Sequence, residues 1–270
     1  MRREAPARRI ASRDNPDYRL WLRLAQGRAP RGETRVLLEG EHLCRAWVER
    51  HGTAPLAILD ERAADTAAGR WLMEAAGERS ALLDAALAGA LSPLAHGPPG
   101  LFLLVEPPRP RPPARIAESC LWLDRVQDPG NLGALLRTAA AAGLREVHLS
   151  IGCAAAWSPK ALRGGQGAHF ALDIHERVDL RAALDHLDIP LAATALDGGL
   201  ELYALDLRAP CAWVFGNEGA GIDPALAAAA DWRVRIPQSD AVESLNVAAA
   251  AAVCLFEQRR QRLVAAGRSG

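Results

Sequence analysis

The sequence predicts an α/β protein: a mostly parallel sheet with helices on both faces, preceded by a smaller α/β domain. Three observations carry this. Short apolar runs alternate with helical stretches through the C-terminal part of the chain, the order that a parallel sheet with crossover helices requires. The same alternation, more weakly drawn, occupies the first hundred or so residues. Between them, Glu106 to Ala114 holds five prolines in seven residues, a run that continues neither a helix nor a central strand and favours an extended linker. The domains are therefore placed at 1–106 and 115–270, joined through 107–114.

In the first domain, Asp17 to Gln26 reads as a helix, with Tyr18, Trp21, Leu22 and Ala25 on one face and Arg19 and Arg23 elsewhere. Val36–Leu38 and Leu56–Leu59 suit buried strands, Glu41–His51 a helix between them, and Leu101–Val105 a further strand. In the second domain, apolar strand candidates fall at 119–123, 145–149, 189–194, 211–215 and 232–236. Helical stretches run over 131–142, 178–187, 223–230 and 244–265. In such sheets ligands bind where the carboxyl ends of strands meet loops, and the unusual residues of this chain cluster there.

Composition narrows the function classes. Half the residues are apolar and a quarter charged, as in a globular protein. The formal net charge is zero, but residues 1–35 carry ten arginines against Glu4, Asp14, Asp17 and Glu33, a net of +6. A basic arm on a neutral protein suits a polyanion; a solvated tail in an arginine-rich composition, where Lys160 is the single lysine, explains it equally well. The five cysteines, 44, 120, 153, 211 and 254, are scattered and build neither a disulfide framework nor a zinc site, and Cys120, Cys211 and Cys254 read as core residues. No apolar stretch is long enough for a membrane span, and no secretory signal is visible, so a cytoplasmic location is expected.

Three segments carry chemistry. In the first, Leu123 to Gly143, a strand ends, Asp128-Pro129-Gly130 turns the chain, and Asn131 is placed to cap a helix. Leu132, Leu135, Leu136 and Ala139 form its buried stripe, and Gly143 closes it. Arg137 lies off that stripe, which by periodicity alone is a surface arginine. In the second, Trp213 to Asp223, a buried strand runs into three glycines around Asn217 and Glu218. These would let a ligand approach the backbone, and their GxxGxG spacing is not the dinucleotide fingerprint. In the third, Arg235 to Ala248, a strand ends at Ile236-Pro237, a polar loop follows, and Ser244 or its neighbour caps a long Ala-rich helix. That helix is expected to bury Leu245, Ala249, Ala252 and Phe256 and to end on Arg259, Arg260 and Arg262, matching its dipole.

The pieces NLGALLRTA, FGNEGAGI and SLNVA, in this order and spacing, resemble motifs one, two and three of the SpoU (TrmH-like) methyltransferases of the SPOUT superfamily, over roughly 115–265. Upstream, Val36-Leu-Leu-Glu-Gly-Glu-His-Leu43 resembles the small, ribosomal-protein-like substrate-binding domain that precedes the catalytic domain in many members acting on ribosomal RNA. The resemblance implies a C-terminal trefoil knot, a homodimer, S-adenosylmethionine as methyl donor and an RNA ribose 2′-hydroxyl as acceptor. By position it implies that Gly216, Ile236 and Leu245 contact the adenosine part of the cofactor, with Thr194 or Ala195 lining the same pocket. Arg137 becomes the candidate for the reacting hydroxyl. Because a guanidinium is too weak an acid to be neutral, its role is better read as binding the adjacent phosphate and stabilising the developing alkoxide.

Asn131 would hold the same end of the substrate, Glu218 and Ser244 are carried over as site residues, and Asn246 would orient Arg137 or the nucleotide. No metal is implied. Ser158 to Gly167 resembles the family's loop beside the RNA, where Lys160 and Arg163 could meet phosphate; solvated loop charges are the alternative. Arg28 and Arg31 of the basic arm are the further RNA candidates. Gln238, Ala248 and Ala141 depart from residues frequent in the family, which blurs the subfamily. The two-domain layout favours ribosomal over transfer RNA. A knotted relative that binds RNA without catalysis is the rival reading. A doubly wound oxidoreductase would need a GxGxxG turn and a following acidic residue that are both missing.

Overall fold

The computed structural model describes residues 7–92 and 100–267, so Arg2 and Arg3 of the basic arm lie outside the described residues. The chain divides into two compact units, Met1–Pro108 with Trp157–Leu162, and Arg109–Ala156 with Arg163–Gly270. No helix among the described residues is long and apolar enough to cross a membrane.

The first unit carries secondary structure from Arg8 on. Its elements are β1 (Arg8–Ile10), α1 (Pro16–Ala25), β2 (Val36–Glu39), α2 (Glu41–His51), β3 (Leu56–Asp60), α3 (Ala67–Ala76), β4 (Ser80–Leu83), α4 (Ala85–Leu91) and β5 (Leu101–Val105). The sheet order is β1-β4-β3-β5-β2. β1, β4 and β3 run parallel, and β5 is antiparallel to both of its neighbours. The basic segment is thus partly built into the fold: Arg8 pairs with Asp17, Arg9 with Glu61, Arg19 with Asp14 and Arg35 with Glu33. Asn15 caps α1 by accepting from the Asp17 and Tyr18 amides, with Pro16 at the first helical position. Tyr18, Trp21 and Leu24 are the buried residues of α1, and Leu22 and Ala25 sit at the core's margin.

The second unit contains β6 (Cys120–Leu123), α5 (Pro129–Ala142), β7 (Glu146–Ser150), α6 (Pro159–Gly165, begun in the other unit), β8 (Asp173–Val178), α7 (Leu180–Ala183), β9 (Leu191–Thr194), β10 (Leu200–Glu201), β11 (Ala212–Phe215), α8 (Pro224–Ala229), β12 (Trp232–Arg235) and α9 (Val247–Ala265). Every pairing in the order β10-β12-β9-β11-β6-β7-β8 is parallel. β6 and β11 are buried along their whole length, as central strands covered on both faces must be. Cys120, Trp122, Ala212 and Val214 pack with Leu180, Ala183 and Leu226 of α7 and α8. Trp213 points the other way, and its indole Nε1 donates to Gln258 Oε1 of α9 at 3.1 Å.

Four expectations from the sequence change here. α5 begins at Pro129, and its cap is Asp128, whose carboxylate accepts from the Asn131 amide at 2.8 Å; a proline at the first helical position completes the start, which leaves the Asn131 side chain for other work. The stretch 178–187 breaks into α7 and a 3₁₀ turn at Leu184–His186. The segment 158–167 is mostly helix, not loop. In α9 the buried residues are Ala251, Cys254, Leu255 and Gln258, while Ala249 and Phe256 are exposed, Ala252 is half-buried and Leu245 precedes the helix. An Ala-rich helix is apolar on several sides, so periodicity could not choose the buried one.

His169 is fully buried, donates from Nε2 to the Ala156 carbonyl at 2.8 Å, and packs where a side chain on Gly165 would stand 2.3 Å from its ring. Burial depresses its pKa from 6.5 to about 4, against the raising effect of that hydrogen bond. Neutral imidazole is favoured in the fold, so this stabilisation is complete above pH 6.5 and is lost as the pH falls toward 4, at a cost of about 3 kcal/mol. Urea unfolding should show that loss between pH 6.5 and 4, and His169→Gln, which keeps the donor and does not titrate, should flatten it.

Candidate functional site

An open cleft of about 340 Å³ lies at the carboxyl ends of β9, β11 and β12. β9 runs out into Thr194, Ala195 and Leu196. The loop after β11 contributes Gly216, Asn217, Glu218, Gly219, Gly221 and Ile222, that after β12 contributes Ile236 and Gln238, and Ser244 to Val247 with Ala250 close the remaining side. The five residues proposed from the sequence to hold a cofactor, Thr194, Ala195, Gly216, Ile236 and Leu245, therefore line one cavity, together with Glu218, Ser244 and Asn246.

The β11 loop is a tight turn: the Asn217 amide donates to the Gly221 carbonyl at 3.0 Å, and Gly221 returns the bond at 2.9 Å. Asn217 Oδ1 accepts from the Gly219 and Ala220 amides, both at 2.9 Å, and its Nδ2 donates to the Arg125 carbonyl at 2.9 Å. Gly221 takes φ +68°, which favours glycine. Gly216 has a different reason from the one its sequence suggests. A Cβ there would stand 2.2 Å from the Gly221 backbone, so the turn folding back on itself, not a ligand, excludes a side chain. Asn217 is the site residue that the sequence reading gave no role; an Asn between glycines after a strand is the signature of a side chain that organises its own turn.

Three distant segments meet through one side chain. Asn131 Nδ2 donates to Glu218 Oε1 at 3.0 Å, and Asn131 Oδ1 accepts from Asn246 Nδ2 at 3.0 Å. Asn246 Oδ1 in turn caps α9, accepting from the Ala248 and Ala249 amides. The cap of α9 is thus Asn246 rather than Ser244, and the Asn246 side-chain amide donates to Asn131. Desolvation pushes the Glu218 pKa up, but the Asn131 amide and the backbone amides of Glu218, Gln127 and Asp128 outweigh it, and the carboxyl is held below its usual value. Glu218 is therefore an ionised acceptor at neutral pH and a weak base.

Arg137 is exposed on α5, six residues past Asn131 and so about 9 Å further along the axis. It is not among the residues lining the cleft and forms no ion pair among the described residues. Lys160 is exposed and Arg163 half-buried on α6. Arg28 and Arg31 are exposed between α1 and β2, without ion pairs among the described residues. The one three-residue group of potential metal ligands found among the described residues, Glu146, His148 and His175, belongs to β7 and β8 and none of it lines the cleft. Glu146 Oε1 and His148 Nε2 stand 2.6 Å apart, a hydrogen bond between carboxylate and imidazole.

The model of the SpoU rRNA Methylase family matches residues 118–256. The chain belongs to that family. An uncharacterized tRNA/rRNA methyltransferase of Synechocystis, slr1673, is 39% identical over 159 residues, covering 58% of this chain and 57% of that protein. The 23S rRNA (guanosine(2553)-2′-O)-methyltransferase RlmP of Bacillus subtilis is 41% identical over 146 residues, covering 53% and 58%. The matched region thus spans under two thirds of these relatives' lengths. Among solved structures, the SpoU methyltransferase AviRb from Streptomyces viridochromogenes, in complex with AdoMet, superposes with a TM-score of 0.81 at 25% identity, covering 92% of this chain and 98% of that one.

Two outcomes follow for this SpoU-family site. Asn131→Ala should raise the Glu218 pKa, read as a shifted carboxyl resonance in a pH titration by ¹³C NMR; an unmoved resonance would show that the Asn131 bond does not control it. Gly216→Ala should distort the turn and cost about 1–3 kcal/mol of stability in denaturant unfolding, as overpacking against backbone does.

Proposed function

We propose that this protein transfers a methyl group from S-adenosylmethionine to a ribose 2′-hydroxyl of RNA, with ribosomal RNA as the substrate class. The observation that carries the reading is the Asn131–Glu218–Asn246 hydrogen-bonded set at the cleft, which joins all three family motifs at one place. The relatives named as 23S rRNA 2′-O-methyltransferases and the family neighbour bound to AdoMet support it.

The cleft suits the cofactor. Its volume is in the range of small-molecule sites. Apolar Leu196, Ile236 and Leu245 offer surface for a purine, and the main chain around Gly216 and Ile236 offers polar groups beside it. Thr194 and Ser244 supply hydroxyls. When bound, the cofactor supplies an electrophilic sulfonium methyl. The chain's residues then have to position the acceptor. Asn131, held from both sides, presents a fixed amide; Glu218 stays ionised and is poorly suited to take the hydroxyl proton. Arg137 neutralises the phosphate next to the reacting sugar and stabilises the alkoxide.

Arg137 reaches this chemistry in a homodimer. α9 leaves Ala249, Phe256 and Val264 on its surface, Phe256 46% and Val264 63% exposed, and a second copy is the partner proposed to cover them. The C-terminal trefoil knot belongs to the same reading: the loops after β9, β11 and β12 that share the cleft are those such a threading would bring together. The first unit, with exposed Arg28 and Arg31, is assigned the RNA, along with Lys160 and Arg163 on α6, and the cytoplasm is the compartment where that RNA is met.

Ribose-methylation mapping of total RNA with and without the protein should reveal one lost site, in ribosomal RNA; a site in transfer RNA would redirect the substrate, and none would favour RNA binding without catalysis. Arg137→Ala should lower transfer about 10²–10³-fold while cofactor affinity by calorimetry stays within a few-fold. Mixing Arg137→Ala with Glu218→Ala protein should restore part of the activity if the dimer shares the two residues across its sites. Arg28→Gln with Arg31→Gln should weaken RNA binding and reduce the salt slope by about two.

A further inference from the structure

We propose that Asp124 is a positioning residue for methyl transfer: its buried carboxylate clamps the 217–223 turn to the end of β6 and so sets the shape of the cofactor cleft. The inference rests on the reading of that cleft as the S-adenosylmethionine site.

Asp124 directly follows β6, is 4% exposed, and is the only buried acid among the described residues of the second unit. It does not line the cleft. Its Oδ1 accepts from Ser150 Oγ, at the end of the neighbouring strand β7, at 3.0 Å, and its Oδ2 accepts from the Asp223 backbone amide at 2.8 Å. The adjacent Arg125 guanidinium supplies the counter-charge, 3.1 Å from Oδ2. Arg125 adopts φ 54°, and in that conformation its amide donates to the same Ser150 Oγ at 2.9 Å. The Arg125 carbonyl meanwhile accepts Asn217 Nδ2 at 2.9 Å. Both ends of the turn, Asn217 and Asp223, are therefore tied to the dipeptide 124–125.

The tie matters because hydrogen bonds, those within the turn and that of Glu218 to Asn131, are what hold residues 218–221. Residues 218–221 are exposed, so their position comes from hydrogen bonds and not from apolar packing. The Asp223 carboxylate is already engaged: it pairs with Arg181 at 2.6 Å and caps α8. Its backbone amide is what remains for Asp124. A buried, charge-assisted acceptor is among the stronger hydrogen bonds available to a protein, and removing it takes that acceptor from the buried Ser150 hydroxyl and the half-buried Asp223 amide. Of the elements it joins, the β11 turn presents Asn217, Glu218 and Gly219 to the cleft, and β6 and β7 anchor it.

The test uses the full chain and compares wild type with Asp124→Ala, Asp124→Asn, and Ile174→Ala as a core variant on β8, the strand at the edge of the sheet away from the cleft strands. Calorimetry gives the cofactor Kd, steady-state assays give KM for cofactor and kcat, and thermal unfolding gives Tm. Asp124→Ala should raise both Kd and KM for the cofactor about tenfold or more, with kcat at saturating cofactor within about threefold. Asp124→Asn should recover part of the affinity, since its carbonyl oxygen can still accept from the Asp223 amide. It also carries the test if the alanine variant does not fold. Ile174→Ala should lower Tm with KM unmoved. Cofactor affinity equal to wild type in both Asp124 variants, or a fall in kcat with KM unchanged, would overturn the proposal. Wild-type protein that binds no cofactor would instead overturn the reading of the cleft, and the clamp's role with it.

Discussion

The Asn131 amide is the constraint on which the site depends. A primary amide has a donor end and an acceptor end, and here Glu218 takes one while Asn246 supplies the other. The three groups belong to α5, the β11 turn and the cap of α9, so none can move far without breaking a bond to another. The arrangement is economical because each partner has a second engagement: Asn246 starts a 19-residue helix, and Glu218 is kept ionised by the surrounding donors.

A parallel sheet makes this necessary. All seven strands of the second unit point their carboxyl ends to the same edge, so the loops that form a binding site gather there, but nothing in the sheet's hydrogen bonding fixes the loops themselves. Polar side chains do that work in this protein. Asn217 folds its own turn, Gly216 makes room for it, and Asp128 starts α5 early enough to release Asn131 from capping. Burial of β6 and β11 supplies the rigid floor against which these bonds hold their geometry.

The two units differ in how their charge is used. Four of the ten arginines at the start of the chain are paired with acids inside the first unit, three of them with acids of the same stretch, and α1 and β1 are built from it. Arginines 28 and 31 stay exposed. A local charge count registers the pairs within the stretch but misses the one that Arg9 makes with Glu61, 52 positions away.

The sequence by itself determined the α/β class, the mostly parallel character of the second sheet, most of its strands, the two motif segments that line the cleft and the third that meets them through Asn131. Apolar runs between turn residues specify buried strands directly, and the motif residues are local patterns. It did not reveal β1, β4, β8 or β10, nor α3, α4 and α6, whose short or Ala-rich stretches become elements only against a neighbour. It also misplaced two caps and the buried side of α9, since several residues there could cap and several faces were apolar. Which Asn caps and which bridges, why Gly216 lacks a side chain, and where Asp124 sends its two oxygens were decided by tertiary structure alone. Each depends on atoms dozens of residues apart meeting within about 3 Å, a distance at which hydrogen bonds form and clashes are felt.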